Sequence, residues 1–187
     1  MVDRFTTIRA VVALGFLCTL GSFSARAQVL NSGASTIALK ANLPESVSLS
    51  LSANAVNFAL SPGSAANPGS TSITAATSWT LRPGRIAVSV YAFFSSSASA
   101  LTDGAGDNIP SSSFQISDNG GAFTALTNTV PFGGANAGLQ LASVFVLFGN
   151  LQGTRRDTMN FNLNLSALPN LPAGTYTGTL TIQVQVI

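Results

Sequence analysis

Few side chains in this chain could take part in catalysis or metal binding. The sequence of 187 residues contains no histidine and a single cysteine, Cys18. The commonest general base and metal ligand is therefore absent, and the thiolate nucleophile is restricted to one position. No Gly-x-Ser-x-Gly turn, no Ser-x-x-Lys pair and no phosphate-binding glycine loop followed by lysine occurs. We therefore predict that the protein is not an enzyme, with a secreted hydrolase as the remote alternative.

Two acidic residues lie close together in the segment Asp103-Gly104-Ala105-Gly106-Asp107-Asn108. Because Asp, Asn and Gly favour turn conformations, a solvated turn is the first interpretation. Asp103 and Asp107 are also candidate calcium ligands, since hard cations take clustered oxygen atoms. The spacing matches no EF-hand loop, and no other metal or cofactor site is predicted.

Four aromatic residues, Trp79, Tyr91, Phe93 and Phe94, could form a platform for stacking sugars. Trp79 and Phe93 stand beside apolar neighbours in strand-like runs, which favours packing in a core. Tyr91 alternates with the apolar positions before it and is the best candidate for an exposed ring. A carbohydrate-binding or adhesive module that uses this ring is the alternative function.

The N-terminus has the pattern of a secretory signal peptide over residues 1–27. Arg4 and Arg9 precede an apolar run at 10–20, and Ala25-Arg26-Ala27 offers the small residues that a signal peptidase reads. The apolar run is shorter than the 20 or so residues that span a bilayer. We expect an exported protein in the periplasm, at the outer cell surface or outside the cell, with no membrane span and no cysteine after cleavage.

The basic character of the chain belongs to this leader. The whole sequence has a net charge of +2, from eight basic and six acidic residues. Cleavage removes three arginines and one aspartate, and leaves five residues of each sign. Nucleic-acid binding needs a clustered basic face, so no nucleic-acid partner is predicted. A nearly neutral surface associates readily with other copies or with a matrix.

Apolar residues recur at every second position through most of the mature chain. The last run is the clearest, because Leu180, Ile182 and Val184 alternate with threonine and glutamine. The same alternation occurs in the ranges 37–43, 47–51, 86–91 and 161–165. Eight to ten short strands predict an all-β fold, an antiparallel Ig-like β-sandwich that forms a single domain over residues 28–187. A β-barrel is the alternative.

Turn signals separate these runs. Arg82-Pro83-Gly84-Arg85 predicts a type II turn, and Asp118-Asn119-Gly120-Gly121 predicts a tight hairpin. Arg155-Arg156-Asp157 predicts a polar turn between strands. The run Leu139–Phe148 is apolar on both faces and predicts a central strand, and residues 95–113 predict a long loop.

Tyr176 stands just after a glycine-containing turn and leads into the last run. A tyrosine at this place in a sandwich makes a tyrosine corner, in which the ring packs in the core and the hydroxyl bonds the backbone upstream. We therefore predict structural roles for Gly174 and Tyr176, and a core role for Trp79.

The end of the chain resembles bacterial secreted Ig-like domains of the spore coat protein U and chaperone–usher pilin type. The likeness rests on Phe161-x-Leu163-x-Leu165 and on the run Leu171-Pro172-Ala173-Gly174-Thr175-Tyr176-Thr177-Gly178-Thr179-Leu180-Thr181-Ile182. The mature chain as a whole also resembles bacterial secreted proteins without an assigned activity. It departs from the pilin type because it lacks a cysteine pair and ends in Val186-Ile187 without an aromatic residue.

The resemblance implies a fimbrial or coat-type subunit that is completed by a strand from its neighbour, with a periplasmic chaperone or a polysaccharide as further partners. The donor strand would be the segment at 35–43, with Ile37, Leu39, Ala41 and Leu43 on one face. The sequence itself favours pairing of this segment within its own domain as the first strand, because the C-terminal strand is long enough to complete the fold unaided. The function expected is a non-enzymatic structural or cell-surface assembly protein.

Overall fold

The computed structural model describes residues 32–147 and 149–187. The predicted signal peptide at 1–27 and its cleavage site lie outside the described residues. The chain divides into a first unit that ends at Ala41 and a compact second unit, Asn42–Ile187. The described part of the first unit, residues 32–41, forms no regular secondary structure.

The regular secondary structure of the second unit is almost entirely strand, because alternating apolar and polar residues favour a pleated, half-buried backbone. Its described residues contain one 3-10 helix, Ser111–Ser113, and no α-helix. The strands are β1 Ser46–Leu51, β2 Ile73–Thr80, β3 Ala87–Phe93, β4 Leu101–Thr102, β5 Asn108–Ile109, β6 Phe114–Asp118, β7 Thr124–Ala125, β8 Gly138–Phe145, β9 Gln152–Leu163 and β10 Thr181–Val186.

These strands form antiparallel sheets. The larger sheet has the order β1-β2-β9-β6-β7, and the smaller has the order β10-β3-β8. β4 and β5 make a separate two-stranded hairpin. The described strands do not close into a barrel, so the barrel alternative is wrong. The expected all-β antiparallel fold is confirmed, and the arrangement is consistent with a β-sandwich.

The main core draws side chains from both sheets. Phe114, Met159 and Phe161 come from the larger sheet, while Ala92 and Leu139 come from the smaller one. All five are buried. A second cluster at the other end of the sheets gathers around the side chain of Trp79.

The two predicted turns form as their residues favour. Asn119 and Gly120 both have positive φ angles, 50° and 76°, as a type I′ turn requires. Gly84 has φ 98° at the third position of the turn Arg82–Arg85, where a type II turn requires a positive value.

The structure differs from the predicted placement of elements at 139–148, at 95–113 and at the start of the last strand. The run from Leu139 forms β8, an edge strand that ends at Phe145 and leaves that ring 57% exposed, because β3 takes the central position. The expected loop at 95–113 contains the β4–β5 hairpin and the 3-10 helix. The last strand begins at Thr181 and not at Tyr176, because Thr177 exchanges hydrogen bonds with Thr102 of β4.

Candidate functional site

An open apolar cleft of about 920 Å³ lies between the segment that follows β1 and the segment that leads into β10. The first wall runs from Leu51 to Pro62, and the second runs from Leu171 to Ile182. β1 is the end strand of the larger sheet and β10 the end strand of the smaller one, so the cleft opens at an edge of both sheets. A cleft of this size can accept a ligand or several side chains of another chain segment.

Aromatic rings form the floor of the cleft. The ring of Phe114 lies 5.1 Å from that of Phe94 and 5.9 Å from those of Phe58 and Phe161, measured between centroids. Phe94, Phe114 and Phe161 are almost fully buried, so the floor is part of the main core. An occupant of the cleft would therefore lie directly against the core of the domain.

Tyr176 fixes the second wall. Its hydroxyl donates a hydrogen bond to the carbonyl oxygen of Pro172 at 3.0 Å, and its ring packs against the main core. This is the geometry of a tyrosine corner. Gly174 lies under the ring, because a Cβ there would be 3.7 Å from Cε2 of Tyr176. Thr177 is held by reciprocal 2.9 Å bonds with Thr102.

β10 is the end strand of the smaller sheet, lies near β1 and lines the cleft with its first residues. Ala87 and Ile187 exchange two backbone hydrogen bonds, at 3.0 and 3.3 Å. Counting back from this pair, every second residue of β10, beginning with Gln185, bonds β3. In an antiparallel pair, residues that bond one neighbour alternate with residues whose backbone groups point the other way. The N–H and C=O groups of Ile182, Val184 and Val186 therefore face the open edge.

The apolar face of β1 is incompletely covered. Val47 and Leu51 point to the same side as the half-buried Leu49, yet their side chains are 44% and 42% exposed. A strand with this pattern normally buries one face, so β1 lacks part of its cover. Leu51 is also part of the cleft lining, which places the uncovered surface at the same edge.

The predicted donor residues are exposed in the structure. The side chains of Ile37, Leu39 and Leu43 are 84%, 91% and 74% exposed, and Ala41 is also exposed. Residues 35–43 form no strand, and the first described strand is β1.

The candidate calcium ligands Asp103 and Asp107 lie at the tip of the β4–β5 hairpin. Oδ1 of Asp103 accepts hydrogen bonds from the backbone N–H groups of Ala105, Gly106 and Asp107, at 2.8, 3.1 and 3.0 Å. These bonds lower the pKa of the Asp103 carboxyl. The carboxylate thus shapes the turn, and among the described residues no group of three or more acidic, cysteine or histidine side chains gathers as a metal site would require.

The aromatic residues do not form a sugar-stacking surface. Trp79, Tyr91, Phe93 and Phe94 are all buried. The expectation of an exposed ring at Tyr91 is wrong, because Phe132 covers the outer face of β3 with its ring centroid 6.1 Å from that of Tyr91. Trp79 donates its indole N–H to the carbonyl oxygen of Asn150 at 2.7 Å.

The expected polar turn at Arg155-Arg156-Asp157 is wrong, because these residues lie inside the twelve-residue strand β9. Asp157 is fully buried, and Arg155 and Asn119 bond its carboxylate. The neighbouring Asp118 has a raised pKa, first through burial and then through the charge of Asp157. The sequence signal for this pair was the spacing of Arg155 and Asp157, because residues two apart in a strand share a face and a buried aspartate needs a cation beside it.

No helix in the described part of the chain is long and apolar enough to cross a membrane. No protein-family model matches the chain, and no curated protein shows significant similarity to it.

Proposed function

We propose that this chain is an exported, non-enzymatic structural subunit with an Ig-like sandwich domain, which assembles with other copies by strand addition. Residues 35–43 of one copy would lie along β10 of the next and place their apolar face in its cleft. One observation carries the proposal: an open apolar cleft beside the end strand of a sheet, in a chain that also carries an exposed alternating segment.

The two surfaces are complementary in chemistry. Ile37, Leu39 and Leu43 are mostly in contact with water, and transfer of each into the cleft would stabilise a complex by about 1.5–3 kcal/mol. The outward backbone groups of β10 would bond the added strand, as in other cases of β-augmentation. Nine extended residues span about 30 Å, which is comparable to the length of β10 together with the segment before it.

The connection to β1 favours an acceptor in another copy. Only Pro44 and Glu45 separate Leu43 from the start of β1. Glu45 is fixed by Arg82 and Arg85, with N···O distances of 3.1 and 2.9 Å. The cleft begins at Leu51, the last residue of β1. The connection from Leu43 joins β1 at Ser46, which is the opposite end of the strand.

The family resemblance and the leader support export and assembly. The residues 161–182 that carry the likeness include the tyrosine corner and the second wall of the cleft. A periplasmic chaperone that occupies the cleft before assembly is the further partner that the resemblance implies.

Light scattering on the mature chain tests the proposal. We expect oligomers for residues 28–187 and monomers after deletion of residues 28–44. A synthetic peptide of residues 35–43 should bind the deleted form and raise its melting temperature, since a ligand that binds only the folded state stabilises it. The same peptide with Leu39→Asp is the matched control and should not bind. A monomer both with and without residues 28–44 would contradict assembly.

A further inference from the structure

The outer face of the larger sheet over β1, β2 and β9 is polar and carries one charged side chain, that of Arg156. Its outward positions on β1, β2 and β9 carry no acidic and no aromatic residue. They form rows across the three strands, such as Ser48–Ser78–Thr154 and Ser50–Ala76–Arg156. Neighbouring rows on one face lie about 7 Å apart and neighbouring strands about 4.8 Å apart, so the hydroxyls form a regular array.

A shallow depression of about 200 Å³ interrupts this face at Ala76. The small side chain of Ala76 lies between Ser50 and Arg156 in its row, and the depression is flanked by the hydroxyls of Ser78 and Thr154. Oγ of Ser78 is 2.8 Å from Oγ of Ser48. A ligand in this depression would meet several hydroxyl groups and one guanidinium.

Arg156 is a cation without a partner in the described part of the chain. Within residues 32–147 and 149–187 the guanidinium of Arg156 makes no hydrogen bond and no ion pair, and its side chain is exposed. Arg155, the residue before it, points to the opposite face and binds Asp157. Arginine presents a planar set of donors that matches a carboxylate. The depression is therefore equipped to hold a single carboxylate together with neighbouring hydroxyl groups.

We propose that this depression binds the uronic acid units of an acidic polysaccharide. A polymer with many hydroxyls and sparse carboxylates matches a face with many hydroxyl and amide side chains and one cation. Nucleic acid would need several cations for its phosphates and exposed rings for its bases, and this face has neither. The site lies on the face of the larger sheet that points away from the cleft, so it does not depend on strand addition.

Affinity electrophoresis of the mature chain in gels that contain polygalacturonate tests this site. We expect retardation by polygalacturonate and none by its fully methyl-esterified form, because esterification removes the carboxylate charge. Arg156→Gln should weaken binding about tenfold or more, since bonds to charged groups are among the stronger ones. Ala76→Val, which fills the depression with a strand-favouring residue, should also weaken it.

Arg82→Gln is the matched control, because it removes one exposed arginine outside the depression and should leave retardation unchanged. Circular dichroism of each variant shows whether the fold is retained. Equal retardation by the charged and esterified polymers, no retardation by either, or unchanged binding of a folded Arg156→Gln variant would each overturn the proposal.

Discussion

Arg155 binds the fully buried carboxylate of Asp157 from the same strand. Nε of Arg155 lies 2.7 Å from Oδ1 and 3.0 Å from Oδ2, and a terminal nitrogen lies 2.6 Å from Oδ1. Asn119 adds a bond to Oδ1 at 3.1 Å. The pair lies between the main core and the cluster around Trp79. Its contribution to the free energy of unfolding is favourable only while both partners are present, because either charge alone would be buried without compensation.

Arg155→Met should destabilise the domain by about 3–5 kcal/mol, because it leaves the buried charge of Asp157 without compensation. Urea unfolding followed by tryptophan fluorescence measures the free energy. Arg156→Met, at the next position but on the outer face, is the control and should change stability by less than about 0.5 kcal/mol. Equal effects of the two substitutions would contradict the assigned ion pair.

Thr77→Val should stabilise the domain by about 1 kcal/mol. Thr77 is 2% exposed, and its Oγ1 has no hydrogen-bond partner among the described residues. Replacing an unpaired buried hydroxyl by a methyl group of similar shape removes a desolvation penalty. Thr154→Val on the outer face is the comparison, and its effect should be near zero. A loss of stability in Thr77→Val would show that the hydroxyl has a partner.

The ionisation of Glu45 makes the free energy of unfolding depend on pH in the acidic range. The hydrogen bond from Arg85, followed by that from the backbone of Arg82, lowers the pKa of Glu45 from 4.5 to about 2. A lowered pKa in the folded state gives stability that is complete above the unfolded value and is lost as pH falls from about 4.5 to about 2.

Glu45→Gln should therefore be less stable than the unmodified chain at neutral pH, and the difference should shrink as the pH approaches 2. Urea midpoints across this range measure it. Asp107→Asn is the control for the loss of one carboxylate, because Asp107 is exposed and has no ion pair in the described part of the chain. A difference that stays constant down to the lowest pH would count against the ion pair.

Gly153→Ala should destabilise the domain by about 1–3 kcal/mol through overpacking. The indole ring of Trp79 lies against Gly153, and an added Cβ would be 2.7 Å from Cε2 of the ring. The fluorescence of Trp79, the one tryptophan in the chain, reports the displacement together with the unfolding free energy. Gly33→Ala, where nothing lies within 4 Å of the new Cβ, should have no effect.

The alternation of apolar residues predicted several strands of this domain, but it did not predict the short β4–β5 hairpin, the full extent of β9 or which strands lie side by side. Val47–Leu51, Ile86–Tyr91 and the C-terminal run all form strands close to their predicted positions. Which strand becomes central depends on contacts far apart in the sequence. Tyr91 is buried because Phe132 packs over β3 from a distant loop, and no local pattern contains that information.

The candidate site was only partly predictable for the same reason. The exposed segment at 35–43 and the residues around Tyr176 were recognisable from spacing and turn chemistry. The cleft was not, because it requires that β1 and β10 both end their sheets on the same side. Residues 155–157 were predicted as a turn because consecutive charged residues usually lie at the surface. They lie inside β9 instead, where Arg155 and Asp157 pair with each other, and a pairing of this kind could not be seen in the composition alone.

Disulfide trapping between two copies tests strand addition most directly. The chain's one cysteine, Cys18, lies in the predicted leader, so a mature chain carries only the cysteine that is introduced. Copies with Leu39→Cys are mixed with copies with Leu51→Cys under mild oxidation, and mass spectrometry of the linked peptides identifies the pairs. We predict a mixed dimer through positions 39 and 51, well above the yield with Ser78→Cys on the outer face. A yield no higher than that of the Ser78→Cys control would contradict strand addition.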